Sequence, residues 1–186
     1  MKKSDLFWRH SDCPVHIKVY TADAVLRSKL LYGIESAQLI PSVFKTFETF
    51  QIKVLRKILK IDTTYINRVN SNISIFNRIN TMMEEEGRNK RVISFVEAYN
   101  KIKRKRAIKI LNKENSSIYN VSFENGKLRK WIHKNRRSGR PRMNWTEETI
   151  NEIWNIVKRN NERYRFAQFD EDNQEMIDLI KAHTEE

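Results

Sequence analysis

The sequence predicts a mainly α fold: a small helical bundle with one long basic helix and one β-hairpin. Glycine and proline are scarce, four and three among 186 residues, so little interrupts helices. Apolar residues recur with a 3.6-residue period in several segments. One short stretch alternates instead and leads into Asn125-Gly126, the dipeptide preferred in two-residue hairpin turns.

The elements follow in chain order. Asp12, as a cap, and Pro14 mark the start of a first helix that runs to about Tyr32 and ends at Gly33. Its apolar positions are Ile17, Tyr20, Ala24, Leu30 and Leu31. A second helix begins near Pro41-Ser42 and reaches about Ile61. Val43, Phe47, Phe50, Val54 and Ile58 form its stripe, with Phe44, Gln51, Leu55 and Leu59 alongside. Asp62-Thr63-Thr64 breaks the pattern. A third helix spans Ser71 to Met83 on Ile75, Phe76, Ile79 and Met83, before Glu84-Glu85-Glu86 and Gly87. The fourth and most basic helix is expected from Asn89 to Asn112. Its first half is amphipathic; its second half carries charge almost all round, as a helix leaving the core would. Tyr119–Phe123 and Leu128–His133 make the two hairpin strands. A helix opens at Thr146-Glu147-Glu148 and runs to about Asn161 on Ile150, Ile153, Trp154 and Val157. A last one runs from Asp172 to His183 on Met176, Leu179 and Ile180.

Charge narrows the choice of partner. Lys and Arg outnumber Asp and Glu by 36 to 23, a formal net charge of +13, which makes a polyanion the default partner. The single cysteine, Cys13, excludes an internal disulfide and a cysteine-rich zinc site, and suits a reducing compartment. His10, Cys13 and His16 are spaced by three, half of a metal site with no second half, so no metal or other cofactor is expected. No apolar run approaches the roughly 20 residues of a membrane span, and no membrane partner is expected. The N-terminus is basic and amphipathic but too short and polar for a secretory signal; an organellar presequence is the alternative, which Asp5 and Asp12 weaken.

The cations fall in three clusters. Lys53, Arg56, Lys57 and Lys60 line one face of the second helix. Lys101, Lys103, Arg104, Lys105, Arg106 and Lys109 lie on the fourth, where no acid occurs between Glu97 and Glu114. Arg136, Arg137, Arg140 and Arg142 lie in an acid-free loop. Such cations neutralise phosphates and release counterions, with little sequence preference. A solvated face would carry interspersed acids. Gly139-Arg140-Pro141-Arg142 also resembles the core of an AT-hook, although Trp145 close by suits an ordered, packed turn equally. Trp8, Trp131, Trp145 and Trp154 offer rings for base stacking, but their apolar neighbours mark them as core. No phosphate-cradling loop, nucleophile elbow or HExxH motif is present. The acidic runs Glu84–Glu86 and Asp170–Asp172 read as a solvated helix end and a helix N-terminal cap.

Several stretches share their order with a known family. Trp8-Arg9-His10-Ser11-Asp12-Cys13-Pro14 leads into Ser28-Lys29-Leu30-Leu31-Tyr32-Gly33-Ile34-Glu35. Phe47-Glu48-Thr49-Phe50-Gln51, Leu55-Arg56-Lys57-Ile58-Leu59 and Gly139-Arg140-Pro141-Arg142-Met143-Asn144-Trp145 follow. This order resembles the region after the palm, the thumb and connecting segment, in reverse transcriptases of non-LTR (LINE-like) retroelements. The resemblance is densest from Trp8 to about Arg68. It implies a helical thumb that holds template–primer duplex by its backbone, here through Lys53, Arg56, Lys57 and Lys60. The palm's Tyr-x-Asp-Asp metal motif has no counterpart in this sequence, nor do the fingers; if this sequence is the whole protein, the resemblance implies gripping without polymerisation.

The expected organisation is a thumb-like helical domain at 1–83, a basic connecting helix at 84–117, a hairpin and basic loop at 118–145, and a C-terminal helical segment at 146–186. The expected function is that of a non-catalytic RNA-binding structural protein, not an enzyme. It would sit among neighbouring proteins as a subunit of a large intracellular ribonucleoprotein. A mitochondrial or other organellar ribosome is the host its class suggests, with the nucleus as the alternative. The rival readings are a thumb-and-linker fragment of an active reverse transcriptase and an AT-hook-like DNA-binding module.

Overall fold

The computed structural model describes residues 12–34, 37, 39–88, 91–113, 116–124, 127–128 and 145–183. The chain is mainly helical and forms two compact units, Met1–Ile34 with Leu39–Tyr99, and Glu35–Gln38 with Asn100–Glu186.

The first unit is built from α1 (Val15–Leu30), α2 (Pro41–Leu59), α3 (Asn72–Glu85) and the first turn of α4 (Phe95–Leu111). Helix α2 opens with Pro41 in the first turn, where a missing N–H costs nothing. Its expected stripe is the one that faces inward: Gln51, Val54, Leu55 and Ile58 are buried, and Ile52 joins them. Helix α3 starts at Ser71, whose hydroxyl accepts from the Ser74 N–H at 3.2 Å. It buries Ile75, Ile79 and Met83, with Phe76 packed alongside, also as expected. Beyond its end, Gly87 takes φ +67° and lets the Arg88 N–H reach back to the Met83 carbonyl at 2.9 Å.

Helix α1 departs in part from its predicted face. Ile17, Tyr20 and Ala24 are exposed and Val19 and Ala22 are buried, with Leu26 packed against them, whereas Leu30 and Leu31 pack as expected. Apolar residues lie on both sides of this helix, so its periodicity did not select a face. The side that packs also carries a buried carboxylate, Asp23, paired with Arg27 at 2.7 Å. The start moves as well: Pro14 holds the N-cap position, no side chain caps it, and Asp12 is exposed.

The fourth helix begins at Phe95, several residues later than expected. Residues 92–94 are non-helical, yet Val92 is buried and Ile93 half-buried. Backbone polar groups cannot be buried unpaired without a penalty. Here side chains from three helices pair them. Asn80 of α3 takes both groups of Val92, accepting from its N–H at 2.9 Å and donating to its carbonyl at 3.2 Å. Gln51 of α2 donates to the Ile93 carbonyl and accepts from the Phe95 N–H, at 3.0 and 2.9 Å. Arg27 of α1 donates to the same Ile93 carbonyl at 3.0 Å. Ser94 then caps α4, its hydroxyl accepting from the Glu97 N–H at 3.1 Å. Ser94-x-x-Glu97 is the sequence pattern of a capping box, the signal that marks this start.

The second unit packs the remainder of α4 with α5 (Ser117–Ser122), α6 (Trp145–Val157), two 3-10 turns (Lys158–Asn160 and Glu162–Tyr164) and α7 (Gln174–Ala182). Ala107, Ile110 and Leu111 of α4 are buried here with Ile150, Ile153, Trp154 and Ile180. The expectation that the second half of α4 leaves the core is therefore wrong: its apolar positions continue one stripe, which the dense cations obscured. The hairpin pairs β1 (Phe123–Glu124) with β2 (Lys127–Leu128), Phe123 opposite Leu128 and Glu124 opposite Lys127; residues 129–133 of the expected second strand lie outside the described residues. Tyr119–Ser122, read as strand, is helical instead, capped by the Ser116 hydroxyl on the Tyr119 N–H at 3.2 Å. Helix α7 takes Asn173 as its cap, accepting from Glu175 and Met176 N–H groups, rather than the acidic run before it. Within that run, Glu171 accepts from the Leu128 N–H at 3.2 Å and Asp172 pairs with Lys127 at 2.6 Å.

Trp154 is core, its indole N–H donated to the Ala167 carbonyl at 3.1 Å and its ring against Tyr164 and Phe169. The Tyr164 phenol hydrogen-bonds Glu175, which together with burial raises its pKa above the ordinary 10.0. Whatever stability that bond contributes is fully present below the unfolded value and is lost as pH rises through the raised one. Among the described residues no helix is long and apolar enough to cross a membrane.

The segment before α4 gives a direct test. Asn80→Leu fills similar space but orphans both Val92 groups, each worth about 1–3 kcal/mol. Urea unfolding should therefore show a loss of about 3 kcal/mol or more. A loss below about 1 kcal/mol would mean that the segment does not need this side chain.

Candidate nucleic-acid interface

The three predicted cation clusters meet different fates. On α2, Lys53, Lys57 and Lys60 are exposed along one stripe, on the side away from Val54, Leu55 and Ile58. Lys45 is exposed further up the same helix. Arg56 does not join them as a surface cation. It is half-buried, and its guanidinium donates to the Asn70 carbonyl at 2.9 Å and to Asn72 Oδ1 at 3.4 Å. Its charge is used to hold the α2–α3 connection.

The fourth-helix cluster divides in the same way. Lys103 is buried at 6% exposure, with its ammonium 3.6 Å from Glu152. Arg104 meets the same carboxylate at 2.8 Å. A buried ammonium has little access to a phosphate, so these two cations fasten α4 to α6 inside the second unit. Lys105 and Lys109 are exposed and spaced by four; Lys101, four residues earlier on that face, is half-buried, as is Arg106. The third cluster, Arg136, Arg137, Arg140 and Arg142, lies outside the described residues, and with it the hook-like Gly139-Arg140-Pro141. So do Trp8 and Trp131, whereas Trp145 is half-buried.

The local energetics of α2 favour an anionic neighbour. Lys53 and Lys57 are like charges at i, i+4, Arg56 and Lys60 likewise, and Lys57 and Lys60 at i, i+3. Each such pair costs an isolated helix about 0.2–0.5 kcal/mol. The helix C-terminus offsets part of that for cations in the last turn, but not for Lys53. Between Glu48 and Glu84 the chain has six cations and one acid, Asp62.

Lys60 also sits in the left-handed region, φ 55° and ψ 40°, the only positive-φ residue besides glycine among those described. Ile61 and Lys60 both donate to the Arg56 carbonyl there, closing the helix as glycine usually does. A side chain in this conformation costs about 1–2 kcal/mol.

Two surface features have no counterpart among the predicted site residues. Tyr65, in the α2–α3 connection, is 98% exposed, and Phe166, after the second 3-10 turn, is 92% exposed. Arg165 stands over the Phe166 ring at 5.8 Å. Their sequence signal was an aromatic residue in a polar stretch that matched no helical stripe. Elsewhere, Glu84–Glu86 are exposed, and His16 lies 3.5 Å from Glu86. Among the described residues no group of three or more His, Cys, Asp or Glu is placed to hold a metal.

Lys60 separates stability from binding. Lys60→Gly relieves the strain and should raise unfolding stability by about 1 kcal/mol. It should also lower the logarithmic salt slope of polynucleotide binding by about one. If stability falls, the backbone account of this position is wrong.

Comparison with family models, with curated proteins and with solved structures finds no match to this chain.

Proposed function

We propose that this chain is a non-catalytic RNA-binding structural protein whose grip comes from exposed lysine stripes on a helical scaffold. The observation that carries the reading is the two-sidedness of α2, with a buried apolar stripe on one side and exposed Lys53, Lys57 and Lys60 on the other. Packing fixes the orientation of the helix, and the orientation turns the lysines outward as a row. Lys105 and Lys109 do the same on α4. A row of ammonium groups suits the regular phosphate spacing of a nucleic-acid backbone and carries little sequence information. The resemblance to the thumb of non-LTR reverse transcriptases supports the same use of this face, as a grip on duplex backbone. A backbone grip of this kind fits a subunit of a large ribonucleoprotein, an organellar ribosome being the host proposed.

Not all cations then contribute equally. Replacing Lys53, Lys57 and Lys60 together by Gln should weaken binding to a structured RNA. It should also flatten log K against log salt by about two to three units. Lys103→Gln should instead lower stability, because it leaves Glu152 without one of its cations, and leave the slope unchanged. Fluorescence anisotropy across a salt series measures both. An unchanged slope in the triple variant rules out the α2 row as the grip.

A further inference from the structure

The connection between α2 and α3 combines order with exposed apolar surface. Its backbone is extensively hydrogen-bonded. The Thr63 carbonyl accepts from the Ile66 and Asn67 N–H groups at 3.0 Å each, and Asn67 Oδ1 accepts from Val69 N–H at 3.1 Å. Asn70 Nδ2 donates to the Asp62 carbonyl at 3.0 Å, drawing the two ends of the loop together. Arg56 and the Ser74 hydroxyl fasten the C-terminal end, at 2.9 and 2.7 Å, on the Asn70 and Val69 carbonyls. Yet the side chains this frame holds out are apolar: Tyr65 is 98% exposed, Ile66 72% and Val69 76%. A connection needed only for chain reversal would gain nothing from a solvated tyrosine and two β-branched residues.

The charges beside it select the occupant. Lys60 lies five residues before Tyr65 and Arg68 three after, and both are exposed. Along the chain the order is cation, aromatic ring, cation, which offers the groups a single strand calls for: a face for a base and charges for phosphates. A loop already ordered before binding loses little conformational entropy on contact.

We propose that this loop is a base-stacking platform, on which Tyr65 takes an unpaired nucleobase while Lys60 and Arg68 meet the adjoining phosphates. The proposal rests on the RNA-binding reading and narrows it to RNA in which a duplex adjoins a single-stranded segment. The α2 lysines hold the backbone, and the loop reads the presence of an unpaired base, whatever its identity.

The test compares one RNA hairpin with a single-stranded tail against the same hairpin made blunt. Tyr65→Ala should reduce affinity for the tailed RNA by roughly tenfold and leave the blunt hairpin unaffected. Tyr65→Phe, which keeps the ring, should restore tailed binding. A 2-aminopurine in the tail should be quenched by the wild-type chain and by Tyr65→Phe, but not by Tyr65→Ala. Circular dichroism confirms the fold of each variant. Tailed and blunt RNA affected equally, or neither affected, overturns the platform. So does a loss of self-association or protein binding in Tyr65→Ala with both RNA affinities intact, which makes the loop a protein contact. If the wild-type chain binds neither RNA, the underlying RNA-binding reading fails instead.

Discussion

The buried, non-helical backbone before α4 is the constraint on which the first unit depends. Its N–H and C=O groups are withdrawn from water with no helix or sheet to pair them. Arg27, Gln51 and Asn80, one from each of three helices, supply the partners. Each therefore fixes the rotation of its own helix as well as its distance from the segment. Gln51 lies on the same side of α2 as Val54, Leu55 and Ile58, so satisfying Ile93 and Phe95 turns that side inward. The exposed lysine row is the geometric consequence, because Lys53, Lys57 and Lys60 occupy the remaining side. The polar network and the candidate interface are two faces of one helix orientation.

Charge has two roles in this chain, and burial separates them. Asp23 with Arg27, and Glu152 with Lys103 and Arg104, are pairs within the fold. Breaking such a pair leaves a poorly solvated ion, which costs more than the intact pair contributes. Lys45, Lys53, Lys60, Arg68, Lys105 and Lys109 are exposed. Their mutual repulsion is screened by salt and relieved by a polyanion. A net charge of +13 alone does not distinguish these groups. Lys103 and Arg104 belong to the scaffold, so fewer of the described cations are exposed than the basic composition suggests.

What was legible in the sequence follows from how strongly periodicity constrains each segment. Helices α2, α3 and α6 each have one apolar stripe and a polar remainder, so their faces could be assigned from spacing. Helix α1 could not be assigned, because Ile17 and Tyr20 compete with Val19 and Ala22 and the packed side contains Asp23. The late start of α4 is signalled by Ser94-x-x-Glu97, although Val92 and Ile93 extend the apolar run upstream of it. Tyr119–Ser122 alternates like a strand, yet Ser116 caps it into a helical turn: a local side-chain bond decided against β propensity. Of the candidate site, the exposed lysines could be found from i, i+3, i+4 spacing. The diversion of Arg56 to Asn70 and Asn72 could not, because it depends on where the chain returns after fourteen residues. Tyr65 lies in a connection outside every apolar stripe, so spacing gives it no signal, whereas Trp154 sits on a stripe and is core.

The central claim is that packing turns one set of lysines outward to meet RNA and keeps another inside. Lysine acetylation read by mass spectrometry, with and without a structured RNA, tests it residue by residue. Lys53, Lys57 and Lys60 should react readily in the free chain and become protected when RNA is added. Lys103 should stay unreactive in both states. Equal reactivity of Lys53, Lys57 and Lys60 with and without RNA, or ready modification of Lys103 in the folded chain, would contradict the account.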